Sequence, residues 1–367
     1  MKRTIIRKLM AIFISMMLIA SMAVPAAADD VLEGAAGAAE VGGQELYSFG
    51  VCGEDATYTW NEKTGEVIIS GTGMIECKFD YYSAGRFYNN PKIKSVIINE
   101  GITQIGSYLF HNSTNIRKVV IPKTCILIGQ HAFYKLSDDV DFYYNGTREE
   151  FWNIKIKYTN DSLMSGKLHF AKGKEHLFTD VTNRSAYYYN PVDWAATKKI
   201  TSGTGDGSRF EPSLTCTRAM IVTLLHRMAG SPKPKKTGTF KDVPKGSWYY
   251  DAVYWAVEKG ITTGYGNGTF QPFAKCTRAM LVTFLHRFYN GGTYDPVLIW
   301  GTVIPDVPNG SWYQISVYWA YYLSHIATGK GDGLFHPNDP CTRGEAMTFL
   351  YRLMNDGTDY DNFDQTL

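Results

Sequence analysis

Apolar positions in the first half of the chain recur with a period of 23 residues. Residues 93–115 (IKSVIINEGITQIGSYLFHNSTN) align without a gap on residues 116–138 (IRKVVIPKTCILIGQHAFYKLSD). Ile93/Ile116, Val96/Val119, Ile98/Ile121, Ile105/Ile128 and Phe110/Phe133 are identical apolar pairs, and Gly106/Gly129 keep their place between them. Ile102 falls on Cys125, which marks that cysteine as a core residue. One more step places Phe142 and Tyr144 on Val96 and Ile98, so a third, partial unit begins. Each unit reads as a short alternating strand, V-x-I, then a turn, then an apolar I-G-x-x-x-F segment. A unit of this size cannot bury its own apolar face, so the units must stack. Upstream, the β-prone runs Thr57–Trp60 and Glu66–Ser70 flank a Lys63-Thr64-Gly65 turn and predict a hairpin. Downstream, Asn145-Gly146 is a turn signal, and Thr147 is the expected N-cap of a short helix.

The second half switches to helical periodicity. CTRAMIVTLLHRMAG begins at Cys216, CTRAMLVTFLHRFYN at Cys276 and CTRGEAMTFLYRLMN at Cys341. In the first copy Val222, Leu225 and Met228 recur at helical spacing, and Ala219 and Leu224 widen the stripe. Thr217 is a good N-cap, and Gly230 stops the helix. Thr342 with Glu345 makes a capping box in the third copy. Met220 and Met280 stand at that position in the other two, where no box is expected. Three equivalent amphipathic helices would most simply bury their stripes against each other.

One order of motifs precedes each of these helices. Phe178, Asp180, Tyr187, Trp194, Gly203, Gly205, Phe210 and Pro212 lead to Cys216. Phe240, Asp242, Trp248, Trp255, Gly264, Gly266, Phe270 and Pro272 lead to Cys276. Pro305, Asp306, Trp312, Trp319, Gly329, Gly331, Phe335 and Pro337 lead to Cys341.

Residues 46–171 resemble the leucine-rich repeats of BspA-like surface proteins, through ISGTG at 69–73, the V-x-I…I-G-x-x-x-F units and the closing FYYNGTREEFWNIKI…LHF. The second half resembles the S-layer homology (SLH) domain in three tandem copies, at 178–230, 240–289 and 303–354. The expected chain is therefore multi-domain. A short, β-rich leucine-rich-repeat solenoid is followed by a mainly α, pseudo-threefold assembly of three SLH repeats. The resemblance implies three central helices with helical prongs. Linkers are expected at 172–177, 231–239 and 290–302.

Composition changes this picture at the N-terminus. Lys2, Arg3, Arg7 and Lys8 precede an apolar run from Leu9 to Val24, and Pro25-Ala26-Ala27-Ala28 follows. That is the layout of a secretory signal peptide over 1–28, cleaved after Ala28. The rival reading is a retained anchor, for which the run is short. The leader holds four of the 37 Lys and Arg and none of the 35 Asp and Glu. The formal +2 of the chain thus becomes −2 in the mature protein, and no strongly basic stripe remains to suggest a nucleic-acid partner. No second apolar run is long enough to span a membrane. Of the six cysteines, Cys216, Cys276 and Cys341 are repeat-equivalent and read as small buried thiols. Cys52 and Cys77 are candidates for a bridge.

Arginine at 218, 278 and 343 is the unexpected residue. Each falls in a first helical turn, where an exposed cation costs about 0.3–1 kcal/mol against the helix dipole, yet all three copies keep it. A guanidinium beside first-turn N–H groups makes an anion site. The competing reading is an internal ion pair, for instance to Asp180, Asp242 or Asp306 of a neighbouring repeat. SLH domains hold proteins to secondary cell-wall polysaccharides, often ones bearing pyruvate ketals. The resemblance implies that Thr217-Arg218, Thr277-Arg278 and Thr342-Arg343 contact an acidic sugar. It also implies that Gly203/Gly205, Gly264/Gly266 and Gly329/Gly331 let backbone approach it, and that Trp248 and Trp312 stack on its rings. Asp180, Asp242 and Asp306 complete the candidate set. Trp194, Trp255 and Trp319, mid-helix, read as core.

Gly203–Gly207 and Gly264–Gly268 are tight turns rather than phosphate or calcium loops: no Lys-Ser/Thr follows, and too few carboxylates cluster. His226 and His286 are equivalent, but Tyr351 takes the third place, which argues against a metal. Glu149 and Glu150 are adjacent and point apart. No catalytic constellation, metal site or cofactor is expected. The reading is a secreted, non-catalytic bacterial surface protein, anchored by SLH repeats and displaying a repeat domain whose ligand is unknown. The competing classes are an exported wall-active enzyme and a structural S-layer subunit.

Overall fold

The stacking that the 23-residue units demand is met by a β-solenoid of about 4 turns over residues 66–172. The computed structural model describes residues 47–76, 87–137, 139–157, 160–172, 177–238, 240–290, 303–327 and 329–355. The leader, Cys77 and most of the linkers at 172–177 and 290–302 lie outside the described residues. Strands β1 (Tyr47–Val51), β2 (Asp55–Asn61) and β3 (Glu66–Ile75) form an antiparallel meander at one end, as the hairpin pattern predicts. β3 is long enough to start two parallel ladders. Its first half pairs with β4 (Ser95–Ile98), and its second half with β5 (Ile102–Ile105). The first ladder continues through β6 (Lys118–Ile121), β8 (Asp141–Thr147) and β10 (Lys167–Lys172). The second continues through β7 (Leu127–Ile128) and β9 (Lys155–Ile156).

Register places equivalent apolar residues side by side. Val67, Val96, Val119, Phe142 and Leu168 form one buried row, and Ile75, Ile105, Ile128 and Ile156 another. Phe87, Phe110 and Phe133 stack beside them at 5.5 and 5.8 Å. Cys125 is buried in the same core, as its alignment on Ile102 implies. Thr147 caps α1 (Arg148–Phe151) in a full capping box with Glu150.

The helical half builds a closed ring. Each repeat contributes an outer helix and a central helix: α3 (Tyr189–Thr197) and α4 (Arg218–Met228), then α5 (Tyr250–Glu258) and α6 (Arg278–Tyr289), then α7 (Gln314–Tyr318) and α8 (Arg343–Asn355). The short α2 (Asp161–Ser165) belongs to the solenoid. In repeat 3 the spacing from Trp319 to Ile326 is one residue longer than from Trp255 to Ile261. The extra residue is absorbed as a π-turn over Trp319–Leu323 that extends α7.

The central helices do not bury their stripes chiefly against each other, as the amphipathic pattern suggests. Each packs on the outer helix of the next repeat: α4 on α5, α6 on α7, and α8 back on α3. One ring contact repeats three times. His226 packs on Trp255 at 5.2 Å, His286 on Trp319 at 4.7 Å, and Tyr351 on Trp194 at 5.3 Å. Those histidines therefore serve packing, and the three tryptophans are core.

The cysteines sit at the pseudo-threefold axis. Cys276 N–H donates to the Cys216 carbonyl (2.9 Å), Cys341 N–H to Cys276 (2.8 Å) and Cys216 N–H to Cys341 (2.8 Å). Their thiols are free and fully buried. Burial pushes Cys216 up to about 12 and Cys341 well above its ordinary value, so they stay protonated and inert.

The solenoid is joined to this ring by a buried junction. Asp193 on α3 lies 2.9 Å from Arg148 Nε and accepts from the Trp152 indole at 2.8 Å. Asn190 donates to the carbonyls of Met164 (2.6 Å) and Gly166 (3.1 Å). Tyr351 packs edge-to-face on Trp152 as well as on Trp194. Burial pushes the Asp193 carboxyl up to about 6, against the pull of Arg148. The folded chain thus holds this proton more tightly than the unfolded chain, whose carboxyl titrates near the ordinary value of about 4. The resulting stability is complete below that value and is lost as pH rises through about 6. Asp193→Asn should abolish this slope. In urea denaturation from pH 4 to 7, the wild-type chain should lose about 2 to 3 kcal/mol relative to the variant.

Candidate functional site

The three helix starts share one threonine N-cap. Thr217 accepts from Met220 N–H at 3.3 Å, Thr277 from Met280 at 3.2 Å and Thr342 from Glu345 at 3.2 Å. In repeat 3 the Glu345 carboxylate closes the capping box on Thr342 N–H at 2.8 Å. In repeat 1 the Met220 sulfur takes the same place at 3.5 Å, so the geometry persists where no box was expected.

The next two donors of each helix are not open to an anion. Arg218 and Ala219 donate their N–H groups to the carbonyls of Ala274 and Pro272. Arg278 and Ala279 donate to Asp339 and Pro337, and Arg343 and Gly344 to Leu214 and Pro212. Every acceptor belongs to the next repeat, with the third closing on the first. The expected combination of guanidinium and free first-turn N–H groups is thus replaced by a backbone bond between repeats.

The arginine side chains follow the same rule. Arg218 Nε donates to the Phe270 carbonyl (2.9 Å), Arg278 Nε to Phe335 (3.0 Å) and Arg343 Nε to Phe210 (2.7 Å). Each guanidinium lies over the ring of that phenylalanine, 4.7, 4.9 and 4.5 Å from its centre. The three residues are only 5, 2 and 8% exposed. Burial lowers the pKa of Arg218 and Arg343.

The aspartates hold the partner loops. Asp180 accepts N–H groups from Phe210 and Glu211, both at 2.8 Å. Asp242 does the same for Phe270 and Gln271, and Asp306 for Phe335 and His336. Glu211, Gln271 and His336 all carry left-handed backbone, at φ 58, 57 and 59°. The carboxylate pins each loop in that uncommon conformation and so presents the phenylalanine carbonyl to the arginine. The Asp–Arg ion pair held open by the sequence is not formed; the two residues meet through the loop.

Of each glycine pair, only the second faces open space. An added Cβ on Gly264 would lie 2.6 Å from the Phe240 ring, and one on Gly329 2.2 Å from the Leu334 carbonyl. Gly203 is packed likewise against Arg209 and Phe178. Gly205, Gly266 and Gly331 have nothing nearby and need glycine for φ of 56, 75 and 92°.

Between Arg278 of repeat 2 and helix α8 of repeat 3 lies a groove of about 400 Å³. Gly329, Lys330, Glu345, Thr348, Phe349 and Arg352 line it, with Tyr187 of repeat 1 at its rim. Arg278 meets Glu345 across it at 2.6 Å. The cyclic relation of the repeats carries Tyr187 to Trp248 beside the Arg343 groove, and to Trp312 beside the Arg218 groove. These rim residues are 54, 57 and 60% exposed. Sequence reasoning missed Arg352 and its equivalents Arg227 and Arg287, which donate to the Ile326, Ile200 and Ile261 carbonyls. Their threefold recurrence in the sequence was the available signal. It also missed the Arg278–Glu345 pair, which no local pattern announces.

The S-layer homology domain family matches residues 177–219, 239–279 and 303–347, and the BspA-type leucine-rich repeat region matches 74–144. The chain carries three SLH repeats and a BspA-type leucine-rich repeat region. An amylopullulanase of Thermoanaerobacterium thermosulfurigenes is 27% identical over 221 residues, covering 58% of this chain and 12% of its own length. The exoglucanase XynX of Acetivibrio thermocellus is 29% identical over 194 residues, with 52 and 17% covered. A cellulosome-anchoring protein of Acetivibrio thermocellus is 27% identical over 160 residues, with 41 and 34% covered. The chain thus spans less than a fifth of the first two and about a third of the last. The SLH repeats indicate a cell-surface or cell-wall location. Among the described residues no helix is long and apolar enough to cross a membrane, and no His, Cys, Asp and Glu group could hold a metal ion.

Two substitutions separate the roles within a groove wall. Asp180→Ala removes two charge-assisted bonds and should cost about 2 to 3 kcal/mol in urea denaturation. Burial raises the Asp180 carboxyl, but the Phe210 and Glu211 N–H groups outweigh it, and the net shift is downward. The aspartate's contribution is therefore full above its unfolded pKa of about 4 and falls away in acid. Arg278→Lys keeps the charge but loses the Nε bond to Phe335, and should lower the melting temperature despite conserving charge.

Proposed function

We propose that the chain is a secreted, non-catalytic surface protein whose SLH repeats dock it noncovalently on acidic secondary cell-wall polysaccharide, in which pyruvate ketals supply the charge. The observation that carries this reading is the contrast among the tryptophans. Trp194, Trp255 and Trp319 are buried, whereas Trp248 and Trp312 stand more than half exposed at equivalent positions. An indole face held in solvent offers a flat apolar platform, and sugar rings present apolar C–H faces that suit it. The grooves beside these rims hold guanidinium groups, which match a carboxylate in shape and charge. Gly329 lines the groove beside Arg278, and Gly205, Gly266 and Gly331 leave open space beside the backbone. Thr217, Thr277 and Thr342 set the helix starts by accepting a first-turn N–H, and the hydroxyl protons of Thr217 and Thr277 remain able to donate to a sugar oxygen. In this reading Asp180, Asp242 and Asp306 support the site from behind, and the solenoid displays a ligand-binding surface of its own.

Retention on purified wall sacculi tests the reading. The chain from residue 29 onward should bind, and mild acid removal of the ketals should release it. Trp248→Ala with Trp312→Ala should weaken retention by about tenfold per indole, near 1.4 kcal/mol each, with an unchanged melting temperature. Full retention by the folded double variant would remove the indoles from the proposal. Alanine at Arg218, Arg278 and Arg343 is a poorer test, because it also breaks three bonds between repeats.

A further inference from the structure

The end of the solenoid away from the helical ring carries a strand whose pattern is inverted. β1 turns its large residues, Tyr47, Phe49 and Val51, outward. Only Ser48 and Gly50 turn inward, beside the buried Trp60 and Tyr58 of β2. The fit at Gly50 fixes this arrangement. An added Cβ there would lie 2.7 Å from the Tyr58 ring, so Tyr58 packs where a larger residue would go. A slip of one residue, which would carry Phe49 inside, is therefore barred. The Tyr47 and Phe49 rings lie side by side on the exposed face, 6.3 Å between centres. Phe49 also begins a row that crosses the outer face of the sheet through Thr59, Ile68, Ile97, Val120 and Tyr143.

The edge of that strand is bare as well. Among the described residues β1 pairs with β2 alone. Cys52 N–H donates to the Ala56 carbonyl, in register with the ladder. The alternation of an antiparallel pair then gives the main-chain groups of Ser48 and Gly50 to β2 and turns those of Phe49 and Val51 to the open edge. Sheets guard such an edge with lysine, proline or a bulge. The opposite end of the solenoid does so, since β10 carries Lys167 and Lys172 and β9 carries Lys155. β1 has neither charge nor proline. The preceding stretch, residues 29–46, is rich in glycine and alanine and holds no aromatic residue, a composition disfavoured in strands.

We infer that β1 is the docking edge for a second copy of this chain, paired antiparallel about a twofold axis at Phe49. The segment is self-complementary. Phe49 faces its own equivalent, and Tyr47 faces the equivalent of Val51, so three apolar cross-strand pairs form on one face. The outward main-chain groups of Phe49 are satisfied in the same step. β1 and β10 stand at opposite ends of the strand order, and the helical ring is joined through Arg148 and Trp152, just after β8. Two copies joined at β1 thus form one continuous sheet, about 60 Å long at the usual strand spacing, with a helical ring at each end. Such a pair links two facing surfaces rather than two places on one. The paired strand has five residues, so the contact is weak in solution and gains strength where many copies stand together. The pairing itself is independent of what the helical ring binds.

Sedimentation of the chain from residue 29 onward, from micromolar to millimolar concentration, tests the pairing. A concentration-dependent dimer is expected. Phe49→Lys sets like charges face to face at the axis and should weaken it by about tenfold, with an unchanged melting temperature because the side chain is exposed. Charge also reads the register. Tyr47→Lys with Val51→Glu places opposite charges across both outer pairs and should keep the dimer, whereas Tyr47→Lys with Val51→Lys should lose it. Equal dimerisation of these two double variants rejects the antiparallel pairing. A wild-type chain that stays monomeric at millimolar concentration overturns the inference, as does a dimer that Phe49→Lys leaves intact. A variant lacking residues 29–45 that dimerises where the longer chain does not assigns the edge to that segment, and the inference fails. On purified sacculi the wild-type chain should clump the particles, and Phe49→Lys should be retained equally without clumping. Clumping that persists in Phe49→Lys refutes the end-to-end link. Absence of retention in both chains counts against the anchoring reading and leaves the sedimentation result standing.

Discussion

The helical domain depends on an exchange of hydrogen bonds that no single repeat can make for itself. The first backbone donors of each central helix, and the arginine Nε beside them, find their acceptors in the loop of the next repeat. An isolated repeat would expose these donors to water or bury them unpaired, and the latter costs about 1–3 kcal/mol per group. Three repeats close the cycle, with Arg343 returning to Phe210 across 133 residues of sequence. The cysteine ring at the axis states the same closure in backbone bonds alone. A small side chain is needed there, because three helix starts converge on one line.

The grooves are a by-product of this closure. Clamping one helix start onto the next repeat's loop leaves a cleft between them, with the guanidinium at its base. The arginine Nε holds the ring together, and the fork of Arg278 also meets Glu345. These bonds explain how a cation is tolerated at the positive end of a helix. The carbonyl bond and the aromatic face beneath compensate the dipole.

The junction between the domains changes how the solenoid relates to its anchor. A flexible tether would let the repeat domain sample orientations freely. Instead the Arg148–Asp193–Trp152 cluster and the packing of Tyr351 on Trp152 and Trp194 bury side chains of both domains together. Tyr351 belongs to the contact that closes repeat 3 on repeat 1, so the solenoid end rests on the seam of the ring.

The sequence alone determined the two repeat periods, the strands and helices they generate, the core role of Cys125 and of three tryptophans, and the kinship of both halves. Those features are local or periodic. A 23-residue repeat must stack, and a Thr before an apolar stripe at helical spacing must start a helix. The N-cap at Thr147 was legible for the same reason, whereas the Glu150 carboxylate that completes its capping box was not. Only the tertiary structure decided where Arg218, Arg278 and Arg343 send their donors, because the Phe270, Phe335 and Phe210 carbonyls lie 52 to 133 residues away. It also gave Asp180, Asp242 and Asp306, read as candidate sugar contacts with an ion pair as the alternative, the work of anchoring loops, and it set Glu345 against Arg278. Backbone acceptors carry no mark in a sequence. A side chain that binds one is legible as important but not as to what it touches.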